Sequence, residues 1–324
     1  MPGVLTFLIL AFAPFFGEPS SAQIRYELVG KILQENGKPF PARNQVVFLH
    51  GTTTPFYAQT LAGRDGGFKF KKLPPGAYQL AAAVPRVGEM RKTVEVGPSF
   101  ADSKRVIVTQ VSFGKSDVIE KNQSISTVEL SVPQNAKQEF ARAQDRLSRQ
   151  DVEGSIQHLK KAVEIAPQFS AAWNNLGTIA YQSSQFDQAE KYFREALKQD
   201  PDAYYPLVNL GGTLLSLEKY EESLPINARA VRERPTDPLA QSQLGQSYFF
   251  LGQLDTAESH LMKAKSLDPS HFSHPQLILM KLYARRSQGK EALMEMEEFL
   301  RLHPDSHAAS QIRALMEKAA VAPK

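Results

Sequence analysis

The side chains best suited to metal chemistry are seven histidines, and only four of them form close pairs in the sequence. His271 lies three residues before His274, and His303 lies four residues before His307. A zinc site needs about three or four protein ligands, each a histidine nitrogen, a thiolate or a carboxylate. The spacing supplies no third ligand beside either pair. We therefore favour exposed histidines in turns over a metal site, and we assign no metal ligand.

Local signatures of catalysis are also missing. The chain contains no G-x-S-x-G, G-x-G-x-x-G, phosphate-loop or H-E-x-x-H motif. Ser216 and Lys219 match the spacing S-x-x-K, but the partner motifs of that chemistry are absent and the pair falls at a predicted turn. The chain has no cysteine, which excludes thiol catalysis, disulfides and cysteine-ligated metals. We predict a protein that is not an enzyme, with no catalytic residue and no cofactor.

Three side-chain amides recur at a spacing of 34 residues: Asn175, Asn209 and Gln243. A carboxamide both donates and accepts hydrogen bonds, so a row of them can bind the backbone of an extended peptide. Such a row forms only if a repeated structural unit places the three side chains on one face. The organisation of the whole chain decides whether that condition is met.

Internal repeats make up the C-terminal part of the chain. A fixed period of about 20 to 50 residues is the sequence signature of solenoids and other repeat folds. Prolines mark the period here, at positions 167, 201, 235, 269 and 304. The best-defined repeat combines small and large residues at Trp173, Leu176, Gly177, Ala189, Phe193, Ala196 and Pro201.

This pattern resembles the tetratricopeptide repeat, and it recurs in register in the next two units. The resemblance implies an all-α solenoid of helix-turn-helix repeats. We delimit five repeats, at residues 136–169, 170–203, 204–237, 238–272 and 273–305, followed by a capping helix and tail at 306–324. The residues that carry the pattern are scaffold, so we assign none of them to function.

The same resemblance implies a binding groove, because in this family the first helix of each repeat lines the concave face. Asn175, Asn209 and Gln243 would then form a ladder of amides along that face. Nearby apolar contact area would come from four aromatic residues, Tyr181, Tyr205, Phe249 and Phe250. Asparagine is also common before Leu-Gly in such repeats, so a purely structural origin of the ladder stays open.

Residues 23–112 form a different unit, in which short apolar stretches are separated by Gly, Pro and Asn. Turns such as Asn36-Gly37 separate these stretches and are typical of β-hairpins. Six strands are predicted, at Tyr26–Leu33, Gln45–Leu49, Gly67–Phe70, Ala77–Val84, Arg91–Val96 and Arg105–Val111. Several such strands without helical periodicity predict a small antiparallel β-sandwich.

Residues 64–70 and 73–80 resemble the carboxypeptidase regulatory-like, or prealbumin-like, domain. In that family a D-x-x-G-x-F-x-F hairpin is followed by an L-x-P-G-x-Y-x-L turn and strand. The resemblance implies no catalytic residue, because this domain accompanies enzymes and performs no chemistry itself. Four alternating residues are expected to pack one sheet face rather than to bind a sugar: Phe68, Phe70, Tyr78 and Leu80.

The N-terminal segment predicts export. Residues Val4 to Phe16 form an apolar run that is short for a membrane span, and small residues follow it. Ser20 and Ala22 fit the minus-three and minus-one positions of a signal-peptidase site, so cleavage would leave Gln23 as the new N-terminus. An uncleaved membrane anchor is the alternative. Both interpretations export the remaining chain, and we expect a periplasmic or secreted protein, most typical of a bacterium.

Two classes of function follow from this organisation. In the first, a signal peptide (1–22), a sandwich (23–112), a linker (113–135) and five repeats (136–304) form an exported scaffold that binds a protein or peptide in the groove. The two halves are expected to be separable at the linker. In the second, the sandwich binds a glycan or the cell wall and the repeats act as a spacer.

The charge distribution bears on the partners. Residues 23–112 hold 13 Lys and Arg against 6 Asp and Glu, which predicts at most weak association with anionic envelope polymers. No compact basic run is interleaved with aromatic residues, so we expect no nucleic-acid partner. Membrane association is expected only if the N-terminal segment is kept.

Overall fold

The computed structural model describes residues 24–34, 36–38, 45–84, 88–113 and 131–321. The predicted cleavage site at Ala22 and Gln23 and most of the predicted linker lie outside the described residues. Within the described ranges the chain forms seven strands followed by eleven helices. This order confirms the predicted fold class, a small β-sandwich followed by an all-α solenoid of paired helices.

The seven strands form two sheets. The strands are β1 (Tyr26–Gln34), β2 (Val46–Gly51), β3 (Tyr57–Leu61), β4 (Gly67–Leu73), β5 (Gly76–Val84), β6 (Gly88–Val96) and β7 (Val106–Phe113). One sheet has the order β4-β1-β7 and the other has the order β3-β2-β5-β6. The buried residues of both sheets form one core cluster, so the sheets pack face to face.

Two features of the sandwich differ from the prediction. β1 and β7 pair in parallel, with Leu28 opposite Ile107, whereas the four-stranded sheet is antiparallel throughout. The structure adds a strand that the sequence does not predict, β3, in which only Tyr57 is buried. Its apolar residues, Tyr57, Ala58 and Leu61, do not alternate strictly with polar ones, so they give no period-2 signal, and the neighbouring β2 supplies the pairing that defines the strand.

The predicted core residues of the sandwich are buried, as expected. Phe68, Phe70, Tyr78 and Leu80 are each 4% exposed or less. They lie on two facing strands, β4 and β5, and not on one sheet face. The hydroxyl of Tyr78 donates to the backbone oxygen of Pro74 at 2.8 Å, so the polar end of the buried ring is satisfied.

The helices follow one another in antiparallel pairs. They are α1 (Gln134–Ser148), α2 (Val152–Ile165), α3 (Ser170–Gln182), α4 (Phe186–Gln199), α5 (Tyr204–Ser216), α6 (Tyr220–Glu233), α7 (Pro238–Phe250), α8 (Leu254–Leu267), α9 (Pro275–Arg285), α10 (Gly289–Leu302) and α11 (His307–Val321). Asp237 caps α7 by accepting from the backbone N–H groups of Leu239 and Ala240, and proline follows it at the first helical position. The last helix, α11, packs onto α10 through a separate apolar cluster.

Small residues let the two helices of a repeat approach closely. A Cβ atom added at Gly177 would lie 2.5 Å from the ring of Phe193, and one added at Gly245 would lie 2.7 Å from Cγ of Leu261. Such contacts are far inside van der Waals distance, so only glycine fits. The middle repeat replaces the large apolar partner by Asn227, which is fully buried.

The sandwich and the repeats are in contact, which modifies the expectation of separable halves. Tyr57 of β3 belongs to the buried cluster that contains Val132 and Ala136 at the start of α1. At the other end of the solenoid, the carboxylate of Asp305 accepts from the backbone N–H of Ser99 at 2.9 Å. The contact residues are scattered and mostly polar, so no sequence pattern marks this interface.

Candidate functional site

The first helices of the three central repeats, α3, α5 and α7, present the predicted amides. Asn175 and Asn209 are half-buried on α3 and α5, and Gln243 is buried on α7. Asn209 donates from Nδ2 to Oδ1 of Asn174 at 3.0 Å, so one amide bridge crosses from α5 to α3. We call the surface formed by Asn174, Asn175, Asn209 and Gln243 the amide face. The bridge uses Asn174, one residue before the asparagine that the 34-residue spacing selects.

Gln243 occupies a tight position between α5 and α7. Its Nε2 lies so close to Gly212 that a Cβ added there would be 2.4 Å away. Gln243 is only 7% exposed, and its Oε1 is buried without a hydrogen-bond partner among the described residues. A buried unpaired carbonyl oxygen costs free energy, typically about 1–3 kcal/mol. Because the oxygen is buried, a ligand can donate to it only if the side chain moves.

Two of the predicted aromatic residues lie beside the amide face. Tyr205 is four residues before Asn209 on α5, which places both side chains on one side of the helix. Its ring lies under the guanidinium of Arg91, 4.4 Å from ring centroid to carbon, which is a cation–π contact. Tyr181, on α3, shares a hydrogen bond of 3.1 Å with the hydroxyl of Ser216.

The other two aromatic residues do not line a groove as predicted. Phe249 is 2% exposed and belongs to the core cluster between α7, α8 and α9, so it offers no contact area. The reason is its helical position, which points it at the next repeat. Phe250 is 37% exposed, but its ring stacks on Tyr220 of α6, with centroids 4.4 Å apart.

The outward side of the four-stranded sheet lies over this part of the solenoid. Gln182, the last residue of α3, donates from Nε2 to the backbone oxygen of Gly51 at 2.8 Å. Arg91 of β6 covers Tyr205 of α5. The end of β2 and the outward face of β6 therefore meet the helices that carry the amide face, and the sequence contains no signal for this arrangement.

The expectation of exposed turn histidines is wrong for three of the four paired histidines. His271 is 2% exposed and His303 is fully buried, and the ring of His274 lies 4.3 Å from that of His303. Nδ1 of His303 is 2.9 Å from the carboxylate of Glu95 on β6. The loops before α9 and α11 come together here and are covered by the sandwich. The two histidine pairs are 32 residues apart in the sequence, so their spacing does not reveal this contact. His307 is exposed.

Burial favours the neutral form of two members of this histidine cluster, His271 and His274. It lowers the pKa of His271 to about 4 and that of His274 to about 3, since the charged form loses its hydration. One ring nitrogen of each member, Nε2 of His271, Nδ1 of His274 and Nε2 of His303, is buried without a partner among the described residues. The described part of the chain contains no group of three or more His, Cys, Asp or Glu residues placed to hold a metal ion.

Ser216 and Lys219, the S-x-x-K pair, bond to different neighbours. Ser216 bonds to Tyr181 and to the backbone oxygen of Gly212, whereas Nζ of Lys219 lies 2.7 Å from the carboxylate of Glu190. These contacts account for both side chains structurally.

Among the helices that the structure describes, none is long and apolar enough to cross a membrane.

Comparison with known proteins identifies the helical part. Residues 175–238 and 240–271 match models of the tetratricopeptide repeat. These residues of the helical part are therefore similar to tetratricopeptide repeats. The matched residues lie outside the sandwich, whose resemblance to the carboxypeptidase regulatory-like domain stays a prediction.

Curated relatives match about a third of this chain. The human Cell division cycle protein 16 homolog is 28% identical over 116 residues, which cover 33% of this chain and 19% of that protein. The Hsp70-Hsp90 organising protein of Plasmodium falciparum is 28% identical over 98 residues, or 30% of this chain and 39% of that protein. The chain thus spans about a fifth to two fifths of the length of these relatives.

Solved structures also show similarity to this chain. MamA from Desulfovibrio magneticus RS-1 is 22% identical and aligns with a TM-score of 0.48, covering 55% of this chain and 99% of MamA. YrrB, described as a tetratricopeptide protein with an unusual peptide-binding site, is 22% identical with a TM-score of 0.46, covering 60% of this chain and 98% of YrrB.

Proposed function

We propose that this protein is an exported, non-enzymatic scaffold that binds a protein or an extended peptide on the amide face of its repeats. The observation that carries the proposal is the hydrogen bonding of the side-chain amides. Oε1 of Gln243 is buried without a partner among the described residues, and Asn209 and Asn174 already form a bridge beside it. A peptide backbone supplies N–H donors and carbonyl acceptors at regular spacing, which matches such a row.

A double variant tests the site. Peptides selected from a random phage-displayed library on the wild-type protein serve as probes, with affinity measured by fluorescence anisotropy. Asn175→Ala with Asn209→Ala removes two amides, each worth about 1 kcal/mol, so we expect roughly tenfold weaker binding or more. The matched control is Gln157→Ala, an exposed amide on the second helix α2. Circular dichroism must show unchanged helix content, and unchanged affinity in the double variant would place the binding site elsewhere.

The export component has its own test. Cleavage after Ala22 predicts that the mature protein begins at Gln23. N-terminal sequencing of protein recovered from the periplasm or the medium checks this directly. An intact Met1 in a membrane fraction would support the alternative of an uncleaved anchor, and an intact Met1 in the cytoplasm would contradict export.

A glycan- or polymer-binding sandwich is the second candidate, and the charge of the three-stranded sheet is the observation that favours it. Lys31, Lys69 and Lys71 are exposed on its strands. Lys69 pairs with Glu27 and Lys31 with Asp65, however, so much of this charge is already compensated. Co-sedimentation with purified cell-wall polysaccharide distinguishes the candidates. If the sandwich binds the polysaccharide, the amide double variant should still co-sediment, whereas variants with Lys→Glu changes in the three-stranded sheet should not.

A further inference from the structure

The outward face of β6 contacts the repeats at three places. Its inward residues, Met90 and Val94, belong to the sandwich core, so the alternate positions face the other way. Arg91 covers Tyr205, Thr93 Oγ1 accepts from the backbone N–H of Phe272 at 3.4 Å, and Glu95 bonds to His303. Three successive outward residues of one strand thus meet α5, the loop before α9 and the loop before α11.

The remaining contacts extend this interface over the length of the solenoid. Tyr57 of β3 packs near the start of α1, and Gly51 of β2 accepts from Gln182 of α3. Beyond β6, Asp305 accepts from Ser99. The sheet therefore spans from the first repeat to the beginning of the last helix. It contacts α3 at Gln182 and α5 at Tyr205, and these two helices also carry Asn175 and Asn209.

The chemistry of this interface differs from that of the sandwich core. Apart from Tyr57 and its neighbours, the contacts identified between the described residues are hydrogen bonds, two of them between Ser99 and Asp305, with one cation–π contact and one histidine–carboxylate pair. Polar interfaces with few apolar anchors are typical of contacts that open and close, whereas permanent ones resemble a hydrophobic core. Nothing in these contacts requires the sandwich to unfold when it leaves.

We propose that the sandwich is a built-in, displaceable element docked beside the amide face, on the helices that carry it, and that an external protein or peptide partner must displace it. This inference rests on the proposed function for the identity of the competing ligand. The docking and release of the sandwich can be measured without any partner. A failure of this proposal can therefore be distinguished from a failure of the proposed peptide binding.

Two buried threonines of the sandwich report on release. Thr93 is 4% exposed and lies at the docking face, whereas Thr109 of β7 is 8% exposed and lies on the same inward face of its strand as the core residues Ile107 and Val111. The chain has no cysteine, so Thr93→Cys and Thr109→Cys each introduce one thiol of similar size. The rate of modification by a maleimide is measured under native conditions. We expect Thr93→Cys to react at least ten times faster than Thr109→Cys, because release exposes the first and only unfolding exposes the second.

A disulfide between the sandwich and the repeats, which would prevent release, completes the test. A Cβ atom at Gly97 would lie 3.2 Å from Cβ of Asp305, close to the separation of about 3.5–4.5 Å in disulfides. Gly97→Cys with Asp305→Cys, added to the Thr93→Cys variant, is expected to form this bond on oxidation. The oxidised form should then lose its fast modification at position 93 and regain it on reduction.

The outcomes are decisive in either direction. Equal rates for the two threonine positions would mean that the sandwich does not leave, and fast modification that persists in the oxidised form would mean local motion instead of release. Failure of the disulfide to form would contradict the docked arrangement. With release established, phage-selected peptides should bind the oxidised form at least ten times more weakly than the reduced form, and equal binding would overturn the competition.

Discussion

Acidification is expected to destabilise the protein through its buried histidines. His271 and His274 have a lowered pKa, so the folded state binds fewer protons than the unfolded state below about pH 6.5. Stability is therefore fully present above pH 6.5 and is lost as the pH falls toward about 4, the folded pKa of His271. Asp268 and Asp237 moderate the shift of His271, and Arg91 and His303 add to it.

The magnitude follows from the linkage relation. Each pH unit below the unfolded pKa costs about 1.4 kcal/mol per histidine that is kept neutral. Lowering the pH from 6.5 to 5 therefore costs about 2 kcal/mol at His271. His274 adds at most the same, since its ring keeps some exposed surface while its Nδ1 is buried. The free energy of unfolding should fall by about 2 to 4 kcal/mol from these two residues together.

Urea unfolding followed by the fluorescence of Trp173, the single tryptophan, measures this loss. The stability difference between pH 7.5 and pH 5 is compared in the wild type and in His271→Gln with His274→Phe, which should reduce the difference by the amount above. His307→Gln is the control, because His307 is exposed. The reasoning is refuted if the double variant retains the full pH sensitivity of the wild type.

Two stability predictions concern the contacts between paired helices. Gly177→Ala should destabilise the protein by about 1–3 kcal/mol in urea unfolding, because its Cβ would lie 2.5 Å from the ring of Phe193. The control Gly289→Ala, where a Cβ meets nothing within 4 Å, should show no loss, and equal effects would contradict the packing argument. Asn227→Leu should raise stability by about 1 kcal/mol, or roughly 2 °C in Tm, since Oδ1 of Asn227 is buried without a described partner. A lower Tm would show that its bond to Ser247, at 3.0 Å, matters more.

The helical part of the fold could be predicted because its information is local and repeated. Each repeat needs a small residue opposite a large one, as Gly177 and Phe193 show, and a proline after the second helix. The same pairing recurs at Gly245 and Leu261, so a pattern missed in one unit is recovered from the next. The sandwich was predicted less completely, because β3 depends on pairing with β2 and not on its own composition.

The candidate site was predicted only in part, for a different physical reason. The 34-residue spacing placed Asn209 and Gln243 on successive first helices, but the bridge from Asn209 goes to Asn174. A period gives the position of a residue along the helix, and a shift of one residue rotates the side chain by about 100°. Phe249 is predicted to line the groove but is buried in the core, because its position on the helix turns its side chain away from the groove. The histidine cluster depends on contacts between distant segments, which spacing does not encode.

The docking of the sandwich also changes how partner affinity is to be understood. If a partner binds only the released form, its apparent Kd equals the intrinsic Kd divided by the fraction of molecules that are released. A released fraction of about 1% would weaken the apparent affinity about a hundredfold without altering any contact. A substitution such as Glu95→Ala, which removes the carboxylate bonded to His303, would then strengthen partner binding although it lies outside the amide face. A weak affinity measured on the full chain is therefore no argument against the amide face until the released fraction is known.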